Sequence, residues 1–521
     1  MSFINNLQAN INEINNMKRT ENGAIGFKSS GKKLVDMNFQ IPQYRKASET
    51  AIQKDFCDAM SENELLAVLW MFFTRDVRGG LGERRLFRIL FEYYCLLRPG
   101  VATELLPLVA EYGRWDDLVY ATANTPVWDQ AASIIKKQLL DDVHSMGASG
   151  QVSLLAKWLP SERTSSKKTR ILARKVASAI GMPIKNYNRI LSSLRKYLDV
   201  VEVKMSANQW DKIDYPSVPS YANLRYKNAF LSHDEQRRRE YLDALNKGEA
   251  KINSSVLFPH DIVHKYTSYP ISTRFAEDPT LEELWKALPN YGGLNDCLVV
   301  ADGSGSMTCN IDPHSNVTAL SVANGLAIYC AEHCHGEFKN KYITFSNSPQ
   351  FVDFGGDNTL AAKLCRARQY TEVANTNIEA VFDIILDTAI QSHAAQSDLP
   401  KTILIVSDME FDSCAATNTF EKTCLSLSRR VPPTRALFNV LKTRYEEAGY
   451  KMPRLVFWNV NSRTNTIPVK ENDLGVTLVS GYSLGIIKMV QSGELDPYKN
   501  LVNTLLEDRY QPILDVLHVT L

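Results

Sequence analysis

The stretch Leu298 to Met307, LVVADGSGSM, constrains this chain more than any other. Its front, Cys297-Leu298-Val299-Val300-Ala301, is a short, wholly apolar run, the pattern of a strand covered on both faces of a parallel sheet. It breaks off in Asp302-Gly303-Ser304-Gly305-Ser306, where two glycines permit a tight turn and oxygen-bearing side chains stand at every second position. An acid and two hydroxyls so spaced on a strand-to-loop turn can converge on one point. Hard oxygen donors of this kind suit Mg²⁺, Ca²⁺ or Mn²⁺ rather than zinc. A buried strand with such a terminus predicts a ligand site at the carboxyl edge of an open α/β sheet.

Two later segments extend the pattern. Thr376 lies in Ala374-Asn375-Thr376-Asn377, ahead of the helical pattern Ile378 to Ile390, and Asp408 closes the apolar run Thr402 to Ser407. D-x-S-x-S at 302–306, then Thr376, then Asp408 resembles the metal-ion-dependent adhesion site of von Willebrand factor type A (vWA) domains. The resemblance implies that Ser304, Ser306 and Thr376 touch a divalent cation, Mg²⁺ first, while Asp302 and Asp408 hold it largely through water. It also implies one open position for solvent or a partner's carboxylate. An Asp–Gly turn before a Ser-rich helix start is the plain alternative. A haloacid-dehalogenase-like phosphatase would need a second Asp where Ser304 stands.

The remainder of the back half alternates strands and helices. Strands are expected at 341–345, 350–354, 401–407 and 454–459, with an edge strand at 476–480; helices are expected at 317–334, 360–367, 378–392, 437–447, 484–490 and 499–506. Such alternation implies a doubly wound, Rossmann-like α/β domain over residues 295–521. Residues 412–433 stand out as a loop-rich insertion. Cys330, His333, Cys334 and His335 group the soft ligands, but their spacing fits buried helix cysteines beside a surface histidine better than zinc.

The front half has a different texture. Residues 1–45 are Asn-rich and read as an extended or loosely packed arm. From 46 to 252 the period is helical: Glu62 to Phe73 after a Ser61/Glu64 capping box, then 84–97, 102–112, 128–143, 151–159, 169–179, 184–197 and 234–245. Short loops between amphipathic helices imply an all-α solenoid of stacked pairs. Residues 253–294, with Pro259, Pro270, Pro279 and Pro289, read as a connecting segment. Nine scattered cysteines, no basic-then-apolar leader and no long apolar run imply a cytoplasmic protein without a membrane span.

Charge separates the halves: +7 over residues 1–290 and −6 over 291–521, within a net of +1. Residues 161–200 hold ten Lys/Arg against Glu162 and Asp199. Among them Lys167, Lys168, Arg170, Arg174, Lys175, Lys185, Arg189, Arg195 and Lys196 are candidate phosphate contacts, with Trp158, Tyr187, Tyr197 and Trp210 nearby for stacking on bases. A solvated basic helix face explains the same residues equally well. Arg78 and Arg84 flank Gly79-Gly80-Leu81-Gly82, which lacks the preceding strand and Lys-Ser/Thr pair of a nucleotide loop and reads as a hinge between helices. Arg237-Arg238-Arg239 reads as a surface face.

The phrases FTRDVRGGLGER (73–84), YGRWDDL (112–118), LAKWLP (155–160) and LDVVE (198–202) before a vWA-like domain resemble the Ro autoantigen (TROVE) family, and its phage, viral, fungal and plant relatives most closely. That resemblance implies HEAT-like helical repeats closing into a ring, RNA as partner (single-stranded ends or a structured small RNA) and no enzymatic activity. Without it, the residues leave a protein-assembly scaffold open. A hydrolase at Asp302 and Asp408 is disfavoured by the lack of a nearby histidine or nucleophile–base pair.

Overall fold

The computed structural model describes residues 3–21, 25–268, 275–345, 349–370, 378–410, 441–467, 475–494 and 496–520. They form two compact units, each made from separated pieces of chain: residues 1–47 with 257–504, and residues 48–256 with 505–521.

The first unit is built on a mixed sheet. The chain enters it through a short antiparallel pair, β1 (Met17–Arg19) and β2 (Ile25–Phe27). The main strands follow: β3 (Cys297–Asp302), β4 (Lys341–Phe345), β5 (Phe351–Asp353), β6 (Thr402–Ser407), β7 (Arg454–Asn459) and β8 (Val476–Ser480). Their spatial order is β5-β4-β3-β6-β7-β8; every neighbour runs parallel except the β4–β5 pair. All residues of β3, β6 and β8 are buried, which is why β3 and β6 read as apolar runs, Cys297–Ala301 and Ile403–Val406. Leu298 and Val300 join Ile403, Ile405, Leu455, Phe457, Phe382 and Tyr445 in one apolar cluster, while the helix Ala319–His333 packs on β3, β4 and β6. From β3 the chain continues to β4 on one side and to β6 on the other. A crevice at the carboxyl edge is expected at this switch in direction.

The register levels the strand ends. Ala301 pairs with Val406, Ser407 with Asn459, and Asn459 with Ser480, so Asp302, Asp408 and the residues after Asn459 leave the sheet side by side. Strand expectations at 341–345, 454–459 and 476–480 match in their bounds, and β8 is indeed at an edge.

The expectation of a loose arm over 1–45 is corrected for its second part, residues 25–45, whereas Phe3–Asn16 is a helix with Phe3, Ile4, Leu7, Ile11 and Ile14 exposed. Phe27, Leu34, Val35, Met37, Phe39, Ile41 and Tyr44 are buried, Phe27 bridges Ile467, and Asn459 Nδ2 donates to the Phe39 carbonyl at 2.8 Å. The Asn-rich composition conceals an apolar set spaced to cover one end of the sheet. The boundary also differs: the sheet unit takes in 1–47 and begins again at Leu257 rather than 295.

The second unit is helical, with elements Glu49–Arg75, Arg84–Leu97, Pro99–Tyr112, Trp115–Thr122, Trp128–Gly147, Lys167–Ala179, Ile184–Tyr197, Ser220–His233 and Glu235–Asn246. The last helix, Gln511–Thr520, packs against Pro99–Tyr112 and Glu49–Arg75, so residues 505–521 belong here and not to the sheet. The Ser61 cap is also corrected. The first helix starts at Glu49 under a Ser48 cap and kinks at Asn63, whose side chain, not that of Ser61, accepts from the Leu66 N–H at 2.9 Å. Among the described residues no helix is long and apolar enough to cross a membrane.

Candidate functional site

The carboxyl ends of β3 and β6 bring four of the five sequence-nominated residues together: Asp302, Ser304, Ser306 and Asp408. Asp302 is buried at the tip of β3; its Oδ1 accepts from the Ser304 N–H at 2.9 Å and its Oδ2 accepts from the Ser407 hydroxyl at 2.6 Å. The first bond folds the D-x-S turn onto itself. The second locks the turn to the end of the adjacent strand. After Ser304 the chain takes a short 3₁₀ turn, Gly305–Thr308, anchored by the fully buried Met307, and this places the Ser304 and Ser306 hydroxyls 2.9 Å apart.

Asp408 completes the group from β6. It is wholly buried, and burial together with the Asp302 carboxylate pushes its pKa up to about 7, against the opposing pull of the Ser306 hydroxyl and the Arg463 guanidinium. Its Oδ1 accepts from the Glu410 N–H at 3.3 Å, whereas its Oδ2 has no hydrogen-bond partner among the described residues. Arg463 Nη2 stands 3.5 Å from that oxygen, an ion pair without hydrogen-bond geometry. Two buried carboxylates thus lie close enough to repel each other, one with an oxygen left over. Thr376 lies outside the described residues, as does the 412–433 insertion. Among the described residues no group of three or more His, Cys, Asp or Glu could hold an ion, so any cation here would rest on two acids and hydroxyls.

Sequence reasoning missed two residues beside this edge. Glu410 is buried two residues after Asp408 and accepts from the Arg463 N–H (2.8 Å), the Thr464 N–H (2.9 Å) and the Glu21 N–H (2.8 Å). Arg463 reaches Asp408 and Glu21 through Nη2 and Cys309 Sγ through Nη1 at 3.7 Å. Only the acid two positions beyond Asp408 was a visible signal. In the soft-ligand group Cys330 and Cys334 are buried, Cys334 Sγ bonding the Cys297 carbonyl at 3.2 Å, His333 stacks on Tyr329 at 4.1 Å, and His335 is exposed, which matches the reading of buried cysteines beside a surface histidine.

In the helical unit the basic candidates divide. Lys167, Lys168, Lys185, Arg189 and Lys196 are exposed, as are Arg78 and Arg84. Arg170 donates to the Thr164 and Ser165 carbonyls, Arg174 pairs with Glu162, Lys175 reaches Asn124, and Arg195 caps Ala156 and Leu159 through their carbonyls. Tyr187 is buried and donates to the Pro160 carbonyl at 2.8 Å, so it does not face solvent. The phrases around Gly79 and Trp115 form a bonded frame. Asp117, fully buried, accepts from Arg75 Nε at 2.7 Å and Arg88 Nε at 2.6 Å, while Asp76 holds Arg509 and Tyr510 and caps the Arg78 and Gly79 N–H groups. Arg114 stacks over Trp158 at 4.0 Å.

Two family profiles match this chain, each described as a domain of unknown function: DUF2828 over residues 125–288 and DUF7788 over residues 296–509. The second covers β3 to β8 and all described residues of the candidate site except those of the 1–47 segment. A protein of Acanthamoeba polyphaga mimivirus, described as uncharacterized protein L728, is 28% identical over 530 aligned positions, which cover 94% of this chain and 87% of that protein.

Proposed function

We propose that this chain is a non-enzymatic, Ro-like RNA-binding protein whose sheet unit is a vWA-like domain holding a divalent cation for a partner's acidic group. The observation that carries the cation reading is the pairing of two buried carboxylates, Asp302 and Asp408, beside the Ser304–Ser306 hydroxyl pair, with Asp408 Oδ2 lacking a hydrogen bond. Like charges at close quarters in a dry site are costly. A hard cation relieves that repulsion and uses the unpartnered oxygen.

Ser304, Ser306 and Asp408 would hold the ion, and Asp302, with both oxygens already accepting hydrogen bonds, fits a role through bound water. Thr376 belongs to the proposal through the vWA resemblance. When bound, the ion supplies an electrostatic bridge to an anionic group, and Mg²⁺ fits such a hard-oxygen set, with Ca²⁺ or Mn²⁺ as substitutes. The helical unit, read as HEAT-like repeats, would hold RNA through its exposed Lys167, Lys168, Lys185, Arg189 and Lys196 in a cytoplasmic setting.

Calorimetric titration of Mg²⁺ into the full chain tests the cation half; Ser304→Ala and Asp408→Asn should each abolish the binding heat while leaving the circular dichroism spectrum unchanged. Sequencing nucleic acid that co-purifies at low and high salt tests the RNA half. A second reading, an assembly scaffold without RNA, is favoured by the internal bonds that occupy Arg170, Arg174, Lys175 and Arg195. Purified protein free of nucleic acid at low salt, with no affinity for added single strands, would select it.

A further inference from the structure

Beyond β7 the chain runs Asn459-Val460-Asn461-Ser462-Arg463-Thr464-Asn465-Thr466, a wholly polar loop apart from Val460, at the same carboxyl edge as Asp302 and Asp408. Its backbone is well satisfied. Asn459 Oδ1 accepts from the Asn461 and Ser462 N–H groups at 3.1 and 2.9 Å, and Glu410 takes those of Arg463 and Thr464. Several of its side-chain atoms are not. Asn461 Nδ2, Ser462 Oγ, Arg463 Nε and Asn465 Oδ1 are buried without a hydrogen-bond partner among the described residues, as is Asp408 Oδ2. Asn461 and Ser462 are 1% and 5% exposed.

One such atom is unremarkable; each costs about 1–3 kcal/mol if truly dry, so native chains keep few of them. Here five of the eight in the described chain gather at one sheet edge. Water could relieve them singly, but the local charge favours a particular occupant. Lys46 Nζ donates to Asn461 Oδ1 at 3.1 Å, which fixes the amide so that Nδ2 is the free end. Lys46 and Arg463 are close enough to repel each other, so two basic groups share this corner with the buried Glu410 and Asp408 carboxylates. Two free N–H donors (Asn461 Nδ2 and Arg463 Nε) and the Ser462 hydroxyl, which can also donate, stand beside one acceptor-only atom on the loop, Asn465 Oδ1. A surplus of donors beside Arg and Lys calls for an oxyanion. Arg463 Nη2, 3.5 Å from Asp408 Oδ2, joins this loop to the carboxylates of the candidate cation site.

We propose that the 461–465 loop is the second half of that site and takes a phosphate group, which bridges the cation and the loop donors. The inference rests on the cation reading above. A carboxylate with one oxygen on the cation offers a single oxygen to three donors, whereas a phosphate offers two or three. Arg463 is now shared with Glu21, a half-exposed carboxylate that a bound phosphate has to outcompete.

The test is titration of inorganic phosphate into the full chain at saturating Mg²⁺ and again in EDTA, with acetate at matched ionic strength as the carboxylate probe. Binding of phosphate with Mg²⁺, weakened about tenfold or more by Arg463→Gln and by Ser462→Ala and strengthened by Glu21→Gln, supports the proposal. Acetate binding as tightly as phosphate overturns it, as does phosphate affinity indifferent to both loop variants. Mg²⁺ titrated without phosphate reads the cation half alone. Normal Mg²⁺ affinity with no phosphate binding sinks this inference and leaves the cation site standing. Equal phosphate affinity in EDTA overturns the bridge, and if Mg²⁺ binding is also absent it overturns the cation reading too.

Discussion

The Ser407 hydroxyl donates to the Asp302 carboxylate at 2.6 Å, joining side chains 105 positions apart on adjacent parallel strands. The same Ser407 oxygen accepts the Met409 N–H at 3.0 Å, so a single hydroxyl ties the D-x-S turn to the backbone that carries Asp408. The two halves of the candidate cation site are therefore held in register by a residue that is not itself a nominated ligand. Ser407→Ala should cost about 1–2 kcal/mol of stability by leaving a buried carboxylate oxygen short of a donor. It should also weaken Mg²⁺ binding. Denaturant midpoints without Mg²⁺, followed by Mg²⁺ titration, check both; an unchanged affinity would separate the hydroxyl from the site.

Asp408→Asn should act oppositely in the two states of the site. Without divalent ions it removes one of two mutually repelling buried charges, so the variant should melt no lower than the parent at neutral pH. With Mg²⁺ at about a hundredfold above its dissociation constant, the parent gains about 2.7 kcal/mol and the variant gains nothing. Thermal melts in EDTA and in Mg²⁺ give the comparison directly.

His260 gives the sheet unit an acid limit. It is the second residue of the helix Pro259–Thr267, stacks on Phe258 at 5.5 Å and meets the Tyr482 ring edge-on at 5.0 Å. Burial, with help from Arg45 and His264 and against Asp261, lowers its pKa to about 4. The unfolded chain takes up a proton near 6.5 while the folded unit stays neutral until about 4. The stabilisation is therefore complete above pH 6.5 and is lost as pH falls toward 4, by about 3 kcal/mol at most. Replacing His260 with Gln should flatten that part of a stability-against-pH curve.

What was legible in the chain was local. β3 and β6 are apolar because parallel neighbours and helices cover both faces, and Asp302, Ser304 and Ser306 declare themselves within five residues. Glu410 and Arg463 stayed hidden because their partners are distant: Glu410 takes the N–H of Glu21, 389 positions away. Composition also misled. The polar average of residues 1–45 hid Phe27, Phe39 and Tyr44; Arg237-Arg238-Arg239 read as a surface face although Arg238 is wholly buried and donates to Asn223 Oδ1 at 3.1 Å; and nothing in the sequence marked Arg75, 2% exposed, as the partner of Asp117. Charge marks an ion pair in a sequence only when both members are near in the chain; here they are 42 positions apart.

That buried frame makes its own prediction. Asp117 is the shared acceptor for Arg75 and Arg88 and also takes the Arg114 N–H at 3.0 Å. Asp117→Ala would strand the buried Arg75 guanidinium, while Arg88 keeps Asp116 at 2.8 Å, and should cost about 3–5 kcal/mol. Gly80→Ala in the same frame should be comparably harmful, because its new Cβ would lie 2.0 Å from the Phe73 carbonyl oxygen. Hydrogen exchange in the helix Glu49–Arg75 is the readout, and protection equal to the parent's would show that the frame is dispensable.

The basic helices allow a sharper RNA test than blanket charge reversal. Lys167, Lys168, Lys185, Arg189 and Lys196 are exposed, while Arg195 donates to the carbonyls of Ala156 and Leu159, each at 2.8 Å. A phosphate contact contributes to affinity by releasing counterions, so each one removed lowers the slope of log affinity against log salt by about 0.7 for a single strand. Lys167→Glu with Lys168→Glu should reduce that slope by one to two such steps and leave the melting temperature unchanged. Arg195→Ala should do the reverse, lowering stability through the uncapped helix Leu155–Trp158 while the slope stays near the parent's value. If single-strand affinity in the double variant matches the parent at every salt concentration, the exposed basic face is a solvated surface, and the scaffold reading takes precedence.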